Sequence, residues 1–330
     1  MRSEAEFAQD HVPGAINCPV LNDEERARVG TLYKQVSAFE AKKIGAALVG
    51  RNIARHIEAT FMQHGREWRP LVYCWRGGNR SGALASVLRQ IGWKAARLDG
   101  GYKAYRRAVI ADLAVLPRKF SWRVVCGPTG SGKSRLLRAL ASRGAQVLDL
   151  EALAAHRGSL LGDLPDAAQP SQKYFESCVW QALRTFAAAR PVYVEAESKK
   201  IGRLRVPEAL IAAMWGSACV RLEASLELRV EMLLKEYDHF VRDPALLMPQ
   251  LDCLIPLHGR ERIGAWKALV QTRDSRRFVR EMLELHYDPA YLRATLSHYP
   301  RYADGVRLAV VAESDAAFDA LAARCLAVQR

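Results

Sequence analysis

The stretch that most restricts what this chain can fold into is Gly127-Pro128-Thr129-Gly130-Ser131-Gly132-Lys133-Ser134. It fits G-x-x-x-x-G-K-[ST] and lies between two patterns of different period. The apolar run Trp122-Arg123-Val124-Val125-Cys126 before it reads as a strand. After it, Leu136, Leu137 and Leu140 share one helix face, which ends near Gly144. Strand, glycine loop and helix N-terminus in that order make a phosphate-binding P-loop. The glycines let the backbone wrap a phosphate chain, Lys133 would reach its terminal phosphates, and Ser134 offers a hydroxyl to a Mg²⁺ ion.

Beyond the P-loop, Gln146–Leu150, Pro191–Glu195, Ala218–Leu222 and Val306–Val311 read as further strands. Strands alternating with helices argue for a parallel sheet with helices on it. Asp149, Glu195 and Glu197 fall at or just past strand ends, the side on which an open α/β sheet binds its ligand. Each can orient a metal ion or a base, or can be a solvated loop carboxylate. No apolar run ending in Asp forms a Walker B motif, so the sequence does not settle a metal requirement. From about 207 onward the chain is helix-rich, over 207–215, 223–236, 243–252, 259–284 and 313–328. Basic residues between Arg260 and Arg280, with His286-Tyr287 and Tyr291 nearby, suit RNA contacts or an ordinary solvated helix.

A second motif lies upstream. Leu71-Val72-Tyr73-Cys74 is an apolar run ending in a cysteine, followed by Trp75-Arg76-Gly77-Gly78-Asn79-Arg80-Ser81. Leu84, Val87, Leu88 and Ile91 then recur at helical spacing until Gly92. A thiol at a helix N-terminus among arginines has its thiolate favoured, so Cys74 is expected to be a low-pKa nucleophile. A cysteine behind an apolar run is more often structural, but glycines and arginines crowded after it argue against that. Five residues separate Cys74 from Arg80. A C-x5-R loop gives a ring of N–H groups wide enough for a tetrahedral oxyanion, with the arginine forking two of its oxygens.

The chain of 330 residues is long enough for two domains, and 50% of it is hydrophobic. Residues 114–121 read as the linker, with Pro117 breaking the preceding helix. The first domain is expected over 1–115, with a polar helical insertion over about 22–66, and the second over 116–330. Near the N-terminus a short helix, a turn at Pro13-Gly14 and a strand over Ala15-Ile16-Asn17 are expected. The net charge of +14 suits a polyanionic partner such as nucleic acid. Seven scattered cysteines without a C-x-x-C pair suggest neither a disulfide framework nor a zinc site. A reduced cytoplasmic protein is the simplest reading. Neither a signal peptide nor a membrane span is expected.

His11-Val12-Pro13-Gly14-Ala15-Ile16-Asn17, the cysteine loop and Leu98-Asp99-Gly100-Gly101-Tyr102 together resemble the rhodanese domain. Rhodanese loops are one residue shorter; the longer loop is similar to those of related phosphatases. Over the whole chain, the pattern resembles the bacterial tRNA 2-selenouridine synthase family, a rhodanese domain fused to a P-loop domain. The matches include Asn22-Asp23-Glu24-Glu25-Arg26-Ala27, Val29-Gly30-Thr31, Tyr33-Lys34-Gln35 and Cys74–Ser81. They continue with the P-loop, Asp149-Leu150-Glu151, His156-Arg157-Gly158-Ser159, Glu197-Ser198, Glu236-Tyr237 and Tyr287-Asp288-Pro289. The resemblance implies a transferase that acts on wobble 2-thiouridine of tRNA. Sulfur is geranylated from geranyl diphosphate, and the geranylthio group is then replaced by selenium from selenophosphate. It implies Cys74 as a selanyl-cysteine carrier, with Trp75, Arg76, Gly77, Gly78, Asn79 and Arg80 around the selenophosphate anion. Placing the geranyl diphosphate at Gly127, Thr129, Gly130, Ser131, Gly132, Lys133 and Ser134 is our own inference from the phosphate chemistry of the P-loop, with Asp149, Arg157, Glu195 and Glu197 as candidate accessory residues. No tightly bound cofactor is expected. A rhodanese-type sulfurtransferase or a C-x5-R phosphatase with an appended nucleotide-binding module is the alternative. Rhodanese domains carry a strand ending in Asp before the segment matching Arg2–Phe7. This chain starts inside that motif, so a neighbouring strand is expected to lack a partner, weakening the first domain.

Overall fold

The computed structural model describes residues 1–328. The chain divides into two compact units, one of 1–112 with 171–181, the other of 113–170 with 182–330.

The first unit opens with α1 (Glu4–Gln9), α2 (Asp23–Gln35) and α3 (Ala38–His56). The acidic Asn22–Glu25 motif builds this hairpin. Asn22 and Glu25 cap each other reciprocally at the start of α2, Glu25 N–H to Asn22 at 2.8 Å and Asn22 N–H to Glu25 at 3.0 Å. Asp23 accepts from the Ala5 N–H at 2.9 Å. Asn52 of α3 donates to Glu25 at 2.7 Å and to the Val20 carbonyl at 3.1 Å. The matched residues are thus joints of the hairpin.

β1 (Leu71–Val72), α4 (Asn79–Ile91), β2 (Ala96–Arg97) and α5 (Gly101–Leu113) follow. β1 and β2 pair in parallel, with Val72 opposite Arg97. The strand expected over Ala15–Asn17 does not form. A strand exists only through pairing, and among the described residues this sheet holds two strands of two residues each. Val20, Ile53, Phe61, Val72, Leu84 and Leu88 form the core beneath it.

The second unit contains β3 (Trp122–Cys126), α6 (Lys133–Ser142), β4 (Gln146–Leu148), α7 (Leu150–Ala154), the last turn of α8 (Gln172–Thr185) and β5 (Val192–Glu195). A short antiparallel pair, β6 (Lys200–Ile201) and β7 (Leu204–Arg205), precedes α9 (Glu208–Trp215), β8 (Ala218–Ala224) and α10 (Leu226–Glu236). The remaining elements are α11 (Asp238–Arg242), α12 (Met248–Asp252), α13 (Ile255–Gln271), α14 (Ser275–Met282), α15 (Asp288–His298), β9 (Val306–Val310) and α16 (Asp315–Ala327). The main sheet runs β4-β5-β3-β8-β9, all parallel. β3 is central and buried on both faces, so its sequence is an almost unbroken apolar run. The chain leaves β3 toward β4 and β5 and later returns to its other side with β8. The loop after β3 therefore lies at the topological switch point. Val125, Leu136, Leu140, Val220, Phe318 and Leu321 form the core here.

The helix expected over 259–284 is two helices. Arg273 takes φ +59° and Asp274 caps the Arg277 N–H at 3.3 Å, which ends α13 and starts α14. Four of the seven basic residues from Arg260 to Arg280 are matched by acids. Lys267 pairs with Asp252, Arg276 with Glu231, Arg277 with Glu281 and Arg280 with Glu227. No helix among the described residues is long and apolar enough to cross a membrane.

The opening of α8, numbered within the second half, clusters with the first unit. There Asp10, fully buried, accepts from Ser177 at 2.8 Å and from the Tyr102 hydroxyl at 2.7 Å.

Candidate functional site

The cysteine loop leaves β1 through buried Tyr73 and Cys74 and enters α4 through Gly77 and Gly78, both at φ +76°. Its carbonyls are satisfied by the start of α5, Tyr102 N–H to Cys74 at 2.8 Å and Lys103 N–H to Trp75 at 3.2 Å. That approach explains Gly100-Gly101. Gly101 sits at φ +57°, and a Cβ there would lie 2.5 Å from the Cys74 carbonyl oxygen. Trp75 stacks on Tyr102 at 5.2 Å, and the buried Arg2 guanidinium lies 3.8 Å from the Tyr102 ring.

Burial pushes the Cys74 thiol up, but hydrogen bonds from Ser81 side chain and backbone, the Arg80 charge and the Gly78 N–H outweigh it, and the thiol ends below its ordinary value. The Ser81 hydroxyl stands 3.3 Å from Sγ. Ser81 is the site residue that the sequence reading left outside the anion loop, although it directly follows Arg80. A Ser81→Ala variant is expected to move the pH midpoint of Cys74 alkylation upward, because the thiolate loses a donor while the thiol does not. Iodoacetamide labelling rates across pH check this; an unmoved midpoint would reject the role of Ser81.

Arg76, Gly77 and Asn79 are exposed at the loop. Arg80 is turned to a partner of its own, with its Nη1 3.1 Å from Glu6 Oε2. Burial raises the Glu6 carboxyl, and Arg80 more than offsets this, leaving it below the usual range.

The P-loop occupies the end of β3, with Lys133 as the first residue of α6. Gly132 takes φ +85°, and a Cβ there would fall 2.3 Å from the Phe318 ring. Two contacts from distant helices pin the loop. Tyr291 of α15 accepts from the Gly127 N–H at 2.6 Å, and buried Arg229 of α10 donates to the Thr129 carbonyl at 2.8 Å. Arg229 is itself held by both carboxylate oxygens of Asp288, at 3.0 and 2.5 Å. The Ser131 hydroxyl is buried with no partner among the described residues.

Lys133 Nζ lies 3.4 Å from Glu195, and Ser134 Oγ stands between two carboxylates, 3.0 Å from Glu195 Oε2 and 3.1 Å from Glu151 Oε2, with one proton to donate to either. Burial alone would lower the Lys133 pKa, but Glu195, Glu151 and Glu197 raise it, so the ammonium stays charged. Oxygens of Glu151, Glu195 and Glu197 lie within 4.8 Å of one another. Burial and the neighbouring Glu195 charge push Glu151 up to about 8. Burial, with Glu195 and Glu151, pushes Glu197 well above the carboxylate range. Three such oxygens beside a P-loop hydroxyl are hard donors of the kind a divalent cation takes.

Glu195 and Glu197 thus join the P-loop lysine, and Glu151, two residues past Asp149, completes the trio. Asp149 does another job, capping α7 through the Ala152 N–H at 2.9 Å. Arg157 stacks on Tyr237 at 4.7 Å and faces Glu236 at 3.5 Å, on the wall of the same cavity.

That cavity holds about 780 Å³ and is lined by P-loop residues, the carboxylates and α15. A narrow apolar arm of about 70 Å³ adjoins it, walled by Leu233, Phe278, Val279, Met282 and Leu283. Thr129, Ser159, Leu233, Tyr237 and Tyr287 line both spaces.

A parallel-stranded unit with a low-pKa cysteine loop, joined to a five-stranded P-loop unit, defines a rhodanese-like domain coupled to a P-loop α/β domain. A family model for the rhodanese-like domain matches residues 1–108, and one described as the tRNA 2-selenouridine synthase AAA domain matches residues 120–245. A tRNA 2-selenouridine synthase of Nitrosomonas europaea is 36% identical over 241 residues, covering 72% of this chain and 62% of the relative. Those of Alcanivorax borkumensis and Hydrogenovibrio crunogenus are 38% and 40% identical, again over 72% of this chain and over 65% and 66% of their own lengths. The chain is thus similar to tRNA 2-selenouridine synthases over most of its length. It spans somewhat less than two thirds of the length of these relatives.

Proposed function

We propose that this chain is a tRNA-modifying transferase that converts 2-thiouridine to 2-selenouridine by way of S-geranyl-2-thiouridine. The observation that carries the reading is the shared wall between the P-loop cavity and the apolar arm. A diphosphate on the P-loop amides and Lys133 would place an attached hydrocarbon chain at Thr129, Leu233 and Tyr287, where the arm begins. Geranyl diphosphate has that form. The uridine sulfur attacks C1 of the geranyl group, the C1–O bond breaks, and diphosphate leaves with the charge that Lys133 offsets. Glu151, Glu195, Glu197 and Ser134 would hold a Mg²⁺ ion, which supplies further charge to the leaving diphosphate. At the other loop, the Cys74 thiolate would attack the selenium of selenophosphate. The P–Se bond breaks with its electron pair on phosphorus, which leaves as phosphite held by the loop amides and Arg76. The selenium, once released, displaces geranylthiol from C2 of the uridine. Release of selenium from an S–Se bond as selenide takes two electrons, so a thiol reductant belongs in the reaction. The phosphatase alternative needs Arg80 free for a phosphoester, and its pairing with Glu6 disfavours it.

The test is a digest of 2-thiouridine-containing tRNA after incubation with the protein, geranyl diphosphate, selenophosphate, Mg²⁺ and a thiol. S-geranyl-2-thiouridine and 2-selenouridine are expected by mass spectrometry; finding neither rejects the reading. Filling the arm tests its lipid half. Val279→Trp is expected to weaken geranyl diphosphate at least tenfold, of the order that a few lost methylenes represent. Inorganic diphosphate affinity should stay unchanged. Equal losses for both ligands would remove the arm from the reading.

A further inference from the structure

We infer that Arg97, which nothing in the motif pattern singles out, is an anion-binding residue of the cysteine loop. It would take one face of a tetrahedral phosphate-type oxyanion above Cys74. The inference rests on the proposed reading of that loop as the selenophosphate site. Arg97 is the last residue of β2, opposite Val72 and two residues from Cys74 in the paired strand's numbering. Its Nη1 lies 3.0 Å from where a Cβ of Gly78 would stand and 3.1 Å from that of Gly82. The guanidinium therefore rests against the loop-to-helix junction, in a seat open only because both positions lack side chains. Gly78 is also the residue whose N–H faces the Cys74 sulfur.

Charge makes this placement informative. A cation beside a helix N-terminus is at the unfavourable end of the dipole and is normally matched by a carboxylate. Arg80 is so matched, by Glu6. Arg97 is exposed, and its side chain makes no hydrogen bond or ion pair among the described residues. Arg76 is likewise exposed at the loop. The positive charge left over at this loop thus belongs to Arg76, Arg97 and the α4 amides, and a guanidinium fork suits two oxygens of a phosphate group.

Protection of Cys74 from iodoacetamide tests the assignment in the full chain, with labelling read at the Cys74 peptide. The probes are inorganic phosphate and selenophosphate, titrated separately. In Arg97→Gln the concentration giving half protection is expected to rise about tenfold or more for both anions, the size of one lost charge-assisted contact. Arg97→Lys should recover part of it. The pH midpoint of labelling without anion should move less than in Ser81→Ala, which separates anion binding from a merely structural role. Half protection at wild-type concentrations in Arg97→Gln would overturn the inference. Absence of protection in the wild-type chain by either anion would overturn the loop reading and the inference with it. Arg97-dependent protection in a chain that makes no 2-selenouridine would uphold Arg97 and reject the proposed reaction.

Discussion

Lys133→Ala is expected to abolish formation of S-geranyl-2-thiouridine, while the variant still turns supplied S-geranylated tRNA into 2-selenouridine. Lys133 is the cation among Glu151, Glu195 and Glu197 that would reach the leaving diphosphate. Charge stabilisation at a leaving group is worth on the order of 10²–10³ in rate. The same substitution removes the ammonium from three close carboxylates, which will bind protons or Mg²⁺ more readily in its absence. A melting curve with and without Mg²⁺ separates that effect from lost chemistry. Normal geranylation by the variant, with failure only at selenium transfer, would contradict the assignment of this site.

Cys74→Ser should show the opposite pattern, with normal geranylation and selenium transfer reduced at least about a thousandfold, as when a nucleophile is removed from a concerted site. A serine hydroxyl can keep the Ser81 hydrogen bond, so the fold has little reason to change. It does not ionise near neutrality and cannot carry selenium. Mass spectrometry of the intact chain after exposure to selenophosphate should show the selenium adduct on the wild type and none on the variant. Retained 2-selenouridine formation in Cys74→Ser would remove the carrier role.

What was legible in the sequence was local. The P-loop, its flanking strand and helix, and the turn after Cys74 are written in consecutive residues, because strand period, glycine at positive φ and helix caps all act over a few positions. The break between α13 and α14 is equally local, yet it was hidden. Arg273 at φ +59° is a position that propensity would not choose, and the capping Asp274 was the available signal. The partners that decide charge were not legible. Arg80 meets Glu6 from a helix far upstream, and the arginines of α14 meet glutamates of α10, so basic residues counted along the chain overstated the free positive charge. The carboxylate trio was visible only in part. Glu195 and Glu197 stood at a strand end, but Glu151 enters from the first turn of α7, where Asp149 had the more obvious position. The apolar arm draws on α10, α14 and the segment joining α14 to α15, and no stretch of sequence marks it out from ordinary core.

The central claim is that two chemically separate sites act in succession on one nucleoside. Mixing the two inactive variants tests it most directly. Lys133→Ala and Cys74→Ser protein, each unable alone to form 2-selenouridine from 2-thiouridine tRNA, are combined with geranyl diphosphate, selenophosphate, Mg²⁺ and a thiol. The expected result is 2-selenouridine, because tRNA geranylated by the Cys74→Ser chain is selenated by the Lys133→Ala chain. A mixture of folded variants that yields no 2-selenouridine, while the wild type yields it under the same conditions, would contradict the claim.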